Sequence, residues 1–533
     1  MRTFLIFCIF LGSACADYYT ATSDLEVLFA AENILVEKFD DYLNKVEQKQ
    51  TEIKEFLNYV DALQAEMSDP EAYHGNPLNA IVTIRRFVYQ WKHDVLEKIF
   101  STQDYDDYKI TIANELQQLN ITMPTQDDIL GAGSGLLRLQ ETYKLSTSEL
   151  ADGKILDRQT EAELSASDCY EMGRNAHELN QHQYAVEWLL QARSLNQHPE
   201  NITQVSDLQI LELLAPALNR TGNLKLAHML NSEILKQQPA HEAAIRDNIY
   251  YLHEMLRQRH ILTAPQEDQG EDGKRSEEKP SKPDKYELYR RTCRGELRPT
   301  ARQQRNLRCR YTDNNVPFRR LAPFKMELLS EDPFVAYYHN AMHESEMEQL
   351  QDVGFGNLKR TRVGQNSTAA TSSIRNSKGI WLWYEKNSWL ASIYQRLEDI
   401  TGLSMESGEA LQLANYGIGG QYEPHYDYMS SPTNDWKGNR ILTALFYIND
   451  VDMGGGTAFP YLPLLVNPVK GSVVVWYNMH SSTEKDFRVL HAGCPVLKGS
   501  KWICNEWMHE GGQEFRRPCG LAPERTKSAA YEA

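Results

Sequence analysis

Apolar side chains recur at heptad spacing along the chain from residue 25 onward. Two registers of positions seven residues apart hold eleven apolar or aromatic side chains in thirteen places: Leu25, Glu32, Phe39, Val46, Ile53, Val60 and Met67, and Leu28, Leu35, Tyr42, Lys49, Phe56 and Leu63. This repeat favours a coiled coil between two chains, and an amphipathic helix in a local bundle is the alternative. We assign residues 17–155 to a helical N-terminal dimerisation domain, in which prolines and a glycine-rich stretch after residue 70 separate further helices.

A second helical block, over residues 160–260, carries small residues at the spacings of a tetratricopeptide repeat. The pattern consists of Gly173, Ala185 and Ala192 followed by Pro199, with Ala227 and Pro239 as its echo one repeat later. Ala185 and Ala227 lie 42 residues apart, which is longer than the usual spacing of about 34 and implies an extended connection. A pair of such repeats usually makes a peptide-binding groove, and generic helix packing is the alternative.

The composition changes twice after this block. Residues 261–288 are charged and contain proline but few large apolar side chains, which predicts a flexible linker. Farther on, the runs ILTALFYIND (441–450) and GSVVVWYNM (471–479) are short, β-branched and aromatic, and predict buried strands. Many such strands separated by glycine turns indicate a sandwich or a jelly roll. The segment 381–402 differs, and its pattern predicts a helix that ends at Gly402.

Length, charge and the N-terminal segment restrict the class of protein. A chain of 533 residues is too long for one hydrophobic core, and its net charge of −17 gives no reason to expect a nucleic-acid partner. Residues 1–16, with Arg2, an apolar run and the sequence Ala14-Cys15-Ala16, have the pattern of a signal peptide. No other stretch is long and apolar enough for a membrane span. We therefore expect a soluble protein of the secretory pathway.

The cysteines and the glycosylation motifs suit an oxidising lumen. Six cysteines follow the predicted signal peptide, and none forms the C-x-x-C pair of a zinc or thioredoxin-like motif. We predict the disulfides Cys293–Cys309 and Cys494–Cys519, although the sequence alone leaves the connectivity open. The candidate glycosylation sites are four N-x-S/T motifs, which begin at Asn120, Asn201, Asn219 and Asn366. The chain ends AAYEA rather than in a retention tetrapeptide, so we expect retention through a partner.

A histidine and an aspartate stand one residue apart in YGIGGQYEPHYDYM (416–429). On a strand, His425 and Asp427 would project from the same face. His491 lies 64 residues after Asp427 on an apolar, strand-like segment, and two histidines with one carboxylate form the facial triad of non-haem Fe(II) oxygenases. Three protein ligands leave three coordination positions for a co-substrate and O2. A core histidine is the alternative for an isolated HxD pattern.

A lysine that could bind a carboxylate follows the second histidine. Lys501 comes ten residues after His491, between residues that read as a buried strand. An α-keto acid that chelates iron at one end carries a second carboxylate at the other, and a buried cation would pair with it. A solvated surface lysine is the alternative, but an unpaired buried lysine is costly.

Several motifs in fixed order resemble one family. The residues QLANYGIGGQYEPHYDY, GNRILTALFYIND, GGGTAFP, VLHAGCPVLKGSKW and GQEFRRPC are similar to the catalytic domain of the collagen prolyl 4-hydroxylase α subunit, and DPEAYHGNPLNA and LLRLQETYKL resemble its N-terminal region. The resemblance implies a double-stranded β-helix (jelly-roll) catalytic domain over residues 289–522 behind an α-helical N-terminal half. The block near Cys169 resembles the family's peptide-substrate-binding domain, and the two predicted disulfides match the family's pattern.

The resemblance also implies roles for individual residues. His425, Asp427 and His491 match the iron ligands, and Lys501 matches the residue that binds the C5 carboxylate of 2-oxoglutarate. Tyr416 matches a tyrosine near this co-substrate. The positions that line the peptide groove in related hydroxylases are matched by Tyr422, Arg440 and Trp507.

The implied activity is hydroxylation of proline C4 in X-Pro-Gly sequences with Fe(II), 2-oxoglutarate and O2, and with L-ascorbate to rescue oxidised iron. The implied assembly is an α2β2 tetramer with protein disulfide isomerase in the lumen of the endoplasmic reticulum. A coiled coil over residues 24–67 would join the two α chains.

One departure from the family affects substrate binding. Better-known members carry a row of tyrosines in the second repeat of the substrate domain, and here Leu213, Pro216 and Asn219 stand at those places. These side chains cannot stack on proline as tyrosine does, and Pro216 would disturb its helix. The alternatives are the same chemistry on another lumenal protein or on lysine, a non-catalytic peptide-binding adaptor, and a structural coiled-coil protein. The intact metal set disfavours the adaptor, and a coiled-coil protein explains nothing after residue 400.

Overall fold

The computed structural model describes residues 22–66, 91, 103–118, 125–160, 163–196, 205–263, 284–361, 375–417, 419–429 and 436–520. The predicted signal peptide, most of the predicted linker, and the sequons at Asn120, Asn201 and Asn366 lie outside these residues. The structure divides into a unit over Ser23–Pro124 and a unit from Thr125 onward. The predicted domain bounds stay predictions. Within the described part, no helix combines the length and the hydropathy that a membrane span requires.

The N-terminal unit contains the predicted long helix. Helix α1 runs over Thr22–Glu66, and α2 over Gln103–Gln118. The two helices touch where the rings of Tyr42 and Tyr108 lie 5.4 Å apart and Lys38 pairs with Glu115 at 3.2 Å. The register that includes Tyr42 is half-buried, whereas Phe39, in the other register, is 61% exposed. One face of α1 is thus covered within its own chain, and a second apolar face remains open.

The next helices form one layered block in the second unit. Its elements are α3 (Gln126–Tyr143), α4 (Thr147–Ala151), the hairpin strands β1 (Lys154–Ile155) and β2 (Arg158–Gln159), α5 (Ala166–Glu178), α6 (His182–Asn196), α7 (Asp207–Arg220), α8 (Leu224–Gln237) and α9 (Glu242–Thr263). Gly173 permits close packing of α5 on α6, because a Cβ there would lie 2.6 Å from Leu189 Cγ. Trp188 is fully buried in the shared core. The small-residue spacing therefore predicted this helix pair correctly.

The C-terminal part is built on two β-sheets. Helices α10 (Lys285–Cys293) and α11 (Ala301–Gln304) precede β3 (Cys309–Thr312), β4 (Phe324–Ser330), β5 (Val335–His339), α12 (Glu344–Gly354), β6 (Lys359–Arg360), β7 (Lys378–Leu382), α13 (Ala391–Thr401), β8 (Leu411–Tyr416) and β9 (Tyr422–His425). There follow β10 (Arg440–Tyr447), β11 (Met453–Gly454), β12 (Thr457–Phe459), β13 (Leu464–Val466), β14 (Val473–Tyr477), β15 (His491–Gly493), β16 (Val496–Lys498) and β17 (Lys501–His509). Short 3-10 turns occupy 317–320, 384–386, 388–390 and 487–489.

The strand order is that of a jelly roll. The nine-stranded sheet has the order β3-β4-β5-β14-β10-β17-β8-β7-β6, and the four-stranded sheet has the order β13-β12-β15-β9. Strand β17 shows how the two faces are used. Ile503 joins the core between the sheets, whereas Trp502 and Cys504 join the core beneath α12 and α13. This alternation puts Lys501 and Trp507 on the inner face, where the smaller sheet lies.

The predicted helix over 381–402 is correct only at its end. Helix α13 ends at Thr401, and Gly402 caps it with φ of 72° in the left-handed region that glycine adopts freely. Trp381 and Leu382 belong instead to β7, because pairing with β8 buries Leu382 in the core. The predicted strands over 441–450 and 471–479 are present as β10 and β14.

The predicted disulfide pairing is wrong. The structure joins Cys293 to Cys494 with their Cα atoms 5.6 Å apart, and leaves Cys309 and Cys519 free and exposed. The fold gives the reason: α10 packs on the smaller sheet, and this brings its last residue beside the segment after β15. Cys309 is instead drawn into β3, an edge strand of the larger sheet.

Candidate metal centre and co-substrate site

Two neighbouring strands of the smaller sheet bring the two histidines together. Strands β9 and β15 are antiparallel, and His491 stands directly opposite His425. Asp427 lies two residues after His425, just past the end of β9. Its carboxylate oxygens are 3.6 Å from Nε2 of His425 and 3.4 Å from Nε2 of His491. One ligand atom from each residue can be chosen so that all lie within 4.8 Å of one another.

Backbone carbonyls orient both imidazoles. Nδ1 of His425 is 2.7 Å from the carbonyl oxygen of Glu423, and Nδ1 of His491 is 3.2 Å from that of Val489. A proton on Nδ1 makes this contact a hydrogen bond and leaves the Nε2 lone pair for a metal. Burial lowers the pKa of His491 to about 4, which keeps the ring neutral near pH 7, as a metal ligand must be.

The carboxylate of Asp427 is fixed from a central strand of the larger sheet. The hydroxyl of Thr443 donates to its Oδ2 at 2.7 Å, and Nδ2 of Asn478 donates to that hydroxyl oxygen at 2.9 Å. Burial opposes ionisation of Asp427, but the two histidines and Arg440 hold its pKa far below the ordinary value. Asp427 is therefore an anionic ligand whose orientation is set before any metal arrives.

Aromatic rings enclose the three ligands. The ring of Tyr422 stacks on His425 with centroids 3.5 Å apart, and the rings of Trp476 and Phe459 lie 4.7 and 5.8 Å from that of His491. Two imidazoles and one carboxylate suit Fe(II), and walls of this kind limit the access of water. The donor set and its surroundings fit the predicted metal.

The candidate lysine is buried on the inner face of the same barrel. Lys501 pairs with Tyr416 across β17 and β8 and is 3% exposed. Its Nζ lies 5.7 Å from the ring centre of Tyr416 and 5.6 Å from that of Tyr447. No carboxylate of the described chain lies within ion-pair distance of it, and desolvation lowers its pKa to about 7. A carboxylate of a small molecule would supply the missing counter-charge.

Two of the three predicted groove residues, Arg440 and Trp507, lie beside an acidic side chain that the sequence analysis missed. Glu409 pairs with the guanidinium of Arg440 and, at 2.8 Å, with Nε2 of His509. The guanidinium carbon of Arg440 lies 4.2 Å from the ring centre of Trp507, and Nη1 donates to the backbone oxygen of Asp427 at 3.4 Å. These contacts join the groove positions to the metal site.

Tyr422, the third predicted groove residue, carries a second cation. The guanidinium carbon of Arg375 lies 5.0 Å from the ring centre of Tyr422, and Nη2 donates to Gln412 at 2.8 Å. Arg375 was also missed, as were Thr443, Asn478 and His509. No short motif marks these residues, because each acts through a partner far away in sequence.

Three family descriptions match successive parts of the chain. "Prolyl 4-Hydroxylase alpha-subunit, N-terminal region" matches residues 21–157, "Prolyl 4-hydroxylase peptide-substrate-binding domain" matches 166–258, and "2OG-Fe(II) oxygenase superfamily" matches 411–509. The third match includes all three candidate metal ligands and Lys501.

Whole-length relatives decide the family. The chain is 35% identical to prolyl 4-hydroxylase subunit alpha-2 of Gallus gallus, over 95% of each chain. It is 34% identical to subunit alpha-2 of Caenorhabditis elegans over 98% of this chain and 97% of that one, and 34% identical to subunit alpha-1 of Homo sapiens over 95% and 96%. The chain belongs to the prolyl 4-hydroxylase α-subunit family. The helical N-terminal half and the double-stranded β-helix of the C-terminal half agree with this membership.

A solved structure also aligns with part of the chain. The viral collagen prolyl hydroxylase of Paramecium Bursaria Chlorella virus-1, in its 2OG complex, is 24% identical and covers 32% of this chain and 94% of its own, with a TM-score of 0.27. The assignment of this chain to the prolyl 4-hydroxylases does not depend on that alignment. Membership implies Fe(II) and 2-oxoglutarate, and the triad of His425, Asp427 and His491 is a fitting place for the iron.

Proposed function

We propose that the chain is the catalytic α subunit of a prolyl 4-hydroxylase that acts on X-Pro-Gly sequences of procollagen-like chains. The observation that carries this proposal is the presence, inside one barrel, of the His425–Asp427–His491 cluster and of the buried Lys501, which has no counter-charge among the described residues. A metal and a dicarboxylate co-substrate would complete both sites. L-Ascorbate belongs to the proposal as the reductant for iron that becomes oxidised.

The protein's own contribution is to bind, orient and exclude water. When bound, Fe(II) and 2-oxoglutarate supply the oxidising chemistry. His425, Asp427 and His491 would hold the metal, and Lys501 would bind the far carboxylate of the co-substrate, with Tyr416 beside it. Their orientation is preset by the backbone contacts of the histidines and by the hydroxyl that holds Asp427, so little rearrangement accompanies binding.

The peptide groove is proposed along the inner face near Arg440. Trp507 is 5% exposed, and its indole N–H is buried without a hydrogen-bond partner in the described chain. A peptide carbonyl would satisfy that donor, and the ring gives a proline an apolar surface. Arg440 and Tyr422 would complete this wall.

A second candidate substrate class remains, because the helical block differs from its relatives. Leu213, Pro216 and Asn219 are all half-buried on α7, which continues through Pro216 as one helix. Tyr170 on the neighbouring α5 is close enough to Glu212 to be influenced by its charge. A groove with fewer aromatic rings and more charge would bind long proline-rich chains less tightly, and would suit another lumenal proline-containing protein.

A heptad seam on α1 supports the proposed dimer of α chains. Its exposed apolar members are Phe29, Val36, Phe39, Leu43 and Val46, which follow a/d spacing on the face that α2 does not cover. Phe39 and Val46 belong to one of the two registers predicted from sequence. The other predicted register, that of Tyr42, is covered by α2, and Phe29, Val36 and Leu43 take its place in the seam. A second copy of α1 is its proposed partner, and protein disulfide isomerase in an α2β2 tetramer is the proposed β subunit, within the lumen of the endoplasmic reticulum.

Charge placed in the seam tests the dimer. Phe39→Glu with Leu43→Glu should convert the two-α assembly into a one-α assembly in sedimentation of the full co-expressed complex. The control is Asn44→Glu with Thr51→Glu, two exposed positions on the outer side of the same helix. If the assembly still contains two α chains when the seam is substituted, the proposal that the seam joins the α chains is wrong.

Turnover tests the activity. The chain, co-expressed with protein disulfide isomerase, is supplied with Fe(II), 2-oxoglutarate, ascorbate and a (Pro-Pro-Gly)n peptide, and 4-hydroxyproline is read by mass spectrometry. We expect peptide-stimulated decarboxylation that is lost in His491→Ala and retained in His253→Ala, an exposed histidine of α9. Decarboxylation without 4-hydroxyproline would move the proposal to another substrate. The absence of both activities from a folded, iron-loaded complex would refute the proposal.

A further inference from the structure

A cavity of about 460 Å³ lies at the rim of the larger sheet, outside the metal site. It is bounded by the 3-10 turn after β7, by α13 and by the segment that leads into β8. The walls combine aromatic rings with carboxylates: Trp383, Tyr384, Tyr394, Glu385, Glu406 and Glu409. Lys437 is the one cationic residue among those that line it, and its Nζ already donates to the backbone oxygen of Gly408 at 3.1 Å.

A buried carboxylate stands against the wall of this cavity. Glu506 lies on β17 and is fully buried, and neither of its carboxylate oxygens has a hydrogen-bond partner in the described chain. A Cβ on Gly408, which lines the cavity, would lie 2.9 Å from Oε1 of Glu506. The phenol oxygen of Tyr394, which also lines the cavity, is buried without a hydrogen-bond partner among the described residues, and burial and then the charge of Glu506 raise the pKa of Tyr394.

Unpartnered groups of this kind point to a missing cation. An unpaired buried carboxylate is one of the costliest arrangements in a protein interior, and it is rare unless a ligand compensates it. Burial and the like charge of Glu409 raise the pKa of Glu506 well above its ordinary value, and Lys437 and Arg440 oppose this rise only in part, so a bound cation would restore the carboxylate. Aromatic rings beside carboxylates attract ammonium and guanidinium groups in particular.

The cavity is adjacent to the proposed peptide groove. Glu409 lines it and also holds Arg440 and His509, and Arg440 reaches the backbone of the metal ligand Asp427. A peptide that passes Arg440 with a proline near the metal would therefore have a neighbouring side chain within reach of the cavity.

We infer that this cavity is a subsite for a lysine or arginine side chain of the peptide substrate, with Glu506 as its deepest acceptor and the rings of Trp383 and Tyr394 as its walls. The inference rests on the proposed function, since it places the cationic side chain in the flank of the hydroxylated proline. Glu506 and Tyr394 act here on specificity and not on the chemical step.

The test compares matched peptides on the full co-expressed complex. Each (Pro-Pro-Gly)n peptide carries one arginine, lysine, citrulline or norleucine, scanned along both flanks of the target proline. At one flanking position we expect kcat/KM for arginine and lysine to exceed that for their uncharged counterparts about tenfold, the scale of one charge-assisted hydrogen bond. The ratio should fall toward one in Glu506→Gln. In Glu348→Gln, an exposed acid on α12, it should keep its wild-type value.

A second variant protects the test against misfolding. Glu406→Gln changes an exposed residue at the mouth of the cavity and should lower the same ratio severalfold while the fold is intact. A ratio below about two at every position, or a preference that survives both variants, would overturn the subsite. Failure of the uncharged peptides to be hydroxylated at all would instead count against the proposed function, so the two failures are distinguishable.

Discussion

The hydroxyl of Thr443 offers the sharpest test of how the metal site is held. It donates to Oδ2 of Asp427 at 2.7 Å and accepts from Nδ2 of Asn478 at 2.9 Å, in a fully buried setting. Thr443→Val keeps the shape and removes only this hydroxyl. A hydrogen bond to a charged group contributes about 1.5–3 kcal/mol, which corresponds to roughly 10–100-fold in Fe(II) affinity. The variant should therefore bind Fe(II) more weakly by that factor.

The assay is an anaerobic Fe(II) titration of the whole complex with 2-oxoglutarate present, followed by absorption and checked by the iron dependence of turnover. Thr292→Val is the matched control, because its hydroxyl is also fully buried but bonds a helix carbonyl in α10. Thr443→Val loses two buried hydrogen bonds and Thr292→Val loses one, so both variants should lose stability, but only Thr443→Val should change the Fe(II) affinity. An Fe(II) affinity of Thr443→Val within about twofold of wild type would refute the idea that second-sphere bonding presets Asp427.

Four further expectations concern charge and covalent links. Desolvation lowers the pKa of Lys501 to about 7, so deprotonation above that pH should raise the KM for 2-oxoglutarate by up to about tenfold per pH unit. Lys501→Met should have a high KM that does not change with pH in this way. A wild-type KM that does not change with pH would contradict the pairing of Lys501 with the 2-oxoglutarate carboxylate. The same shift costs stability below pH 7, and this cost is relieved as the pH rises from 7 to the unfolded pKa near 10.5, since the unfolded chain binds more protons in that window. Glu346 and Arg396 form a buried bidentate pair at 2.8 and 3.0 Å. Arg396→Met should therefore lower the free energy of unfolding by about 3–5 kcal/mol in a denaturant titration. A loss under about 1 kcal/mol would contradict a stabilising role for this ion pair. Peptide mapping without reduction should recover Cys293 joined to Cys494. Substituting both cysteines should lower the free energy of unfolding by about 5 kcal/mol in the chain-entropy model. Recovery of a Cys293–Cys309 peptide would contradict the Cys293–Cys494 disulfide.

Local patterns were sufficient for several elements and for the residues of the candidate metal cluster. The period of the apolar residues gave the long helix α1, and the small residues around Gly173 gave the packing of α5 on α6, since both depend on neighbours in sequence. His425 and Asp427 were recognisable because a strand places alternate residues on one face. His491 was recognisable because it stands on an apolar, strand-like segment after the HxD pattern, with Lys501 ten residues farther on.

Long-range pairing was beyond the reach of those patterns. Cys293 and Cys494 are separated by 201 residues and meet only because α10 packs on the smaller sheet, whereas sequence reasoning favoured the shorter loops. Glu409 could not be assigned for a similar reason, as its partners Arg440 and His509 reach it from other strands. The alternation of β17 puts Glu506 on the face opposite Lys501, but nothing local shows that this face is buried.

The seam of α1 shows a different limit. Sequence periodicity identified two apolar registers, and both were assigned to a contact between chains. The structure uses one register, that of Tyr42, for packing within the chain, and presents another that includes Phe39. A helix of 45 residues carries enough apolar surface for two interfaces, and periodicity alone cannot divide it between them.

Helix α3 belongs to the core of the peptide-binding block, yet it also holds the loops beside both metal-bearing strands. Arg138 donates to the carbonyl of Gly419, before β9, and Tyr143 donates to that of Pro495, after β15. The distance from the helices of the peptide-binding block to the candidate metal site is therefore set by α3 and not by the segment that connects α9 to α10. A long substrate bound on those helices would therefore be hydroxylated preferentially at a fixed distance from the point at which it is bound.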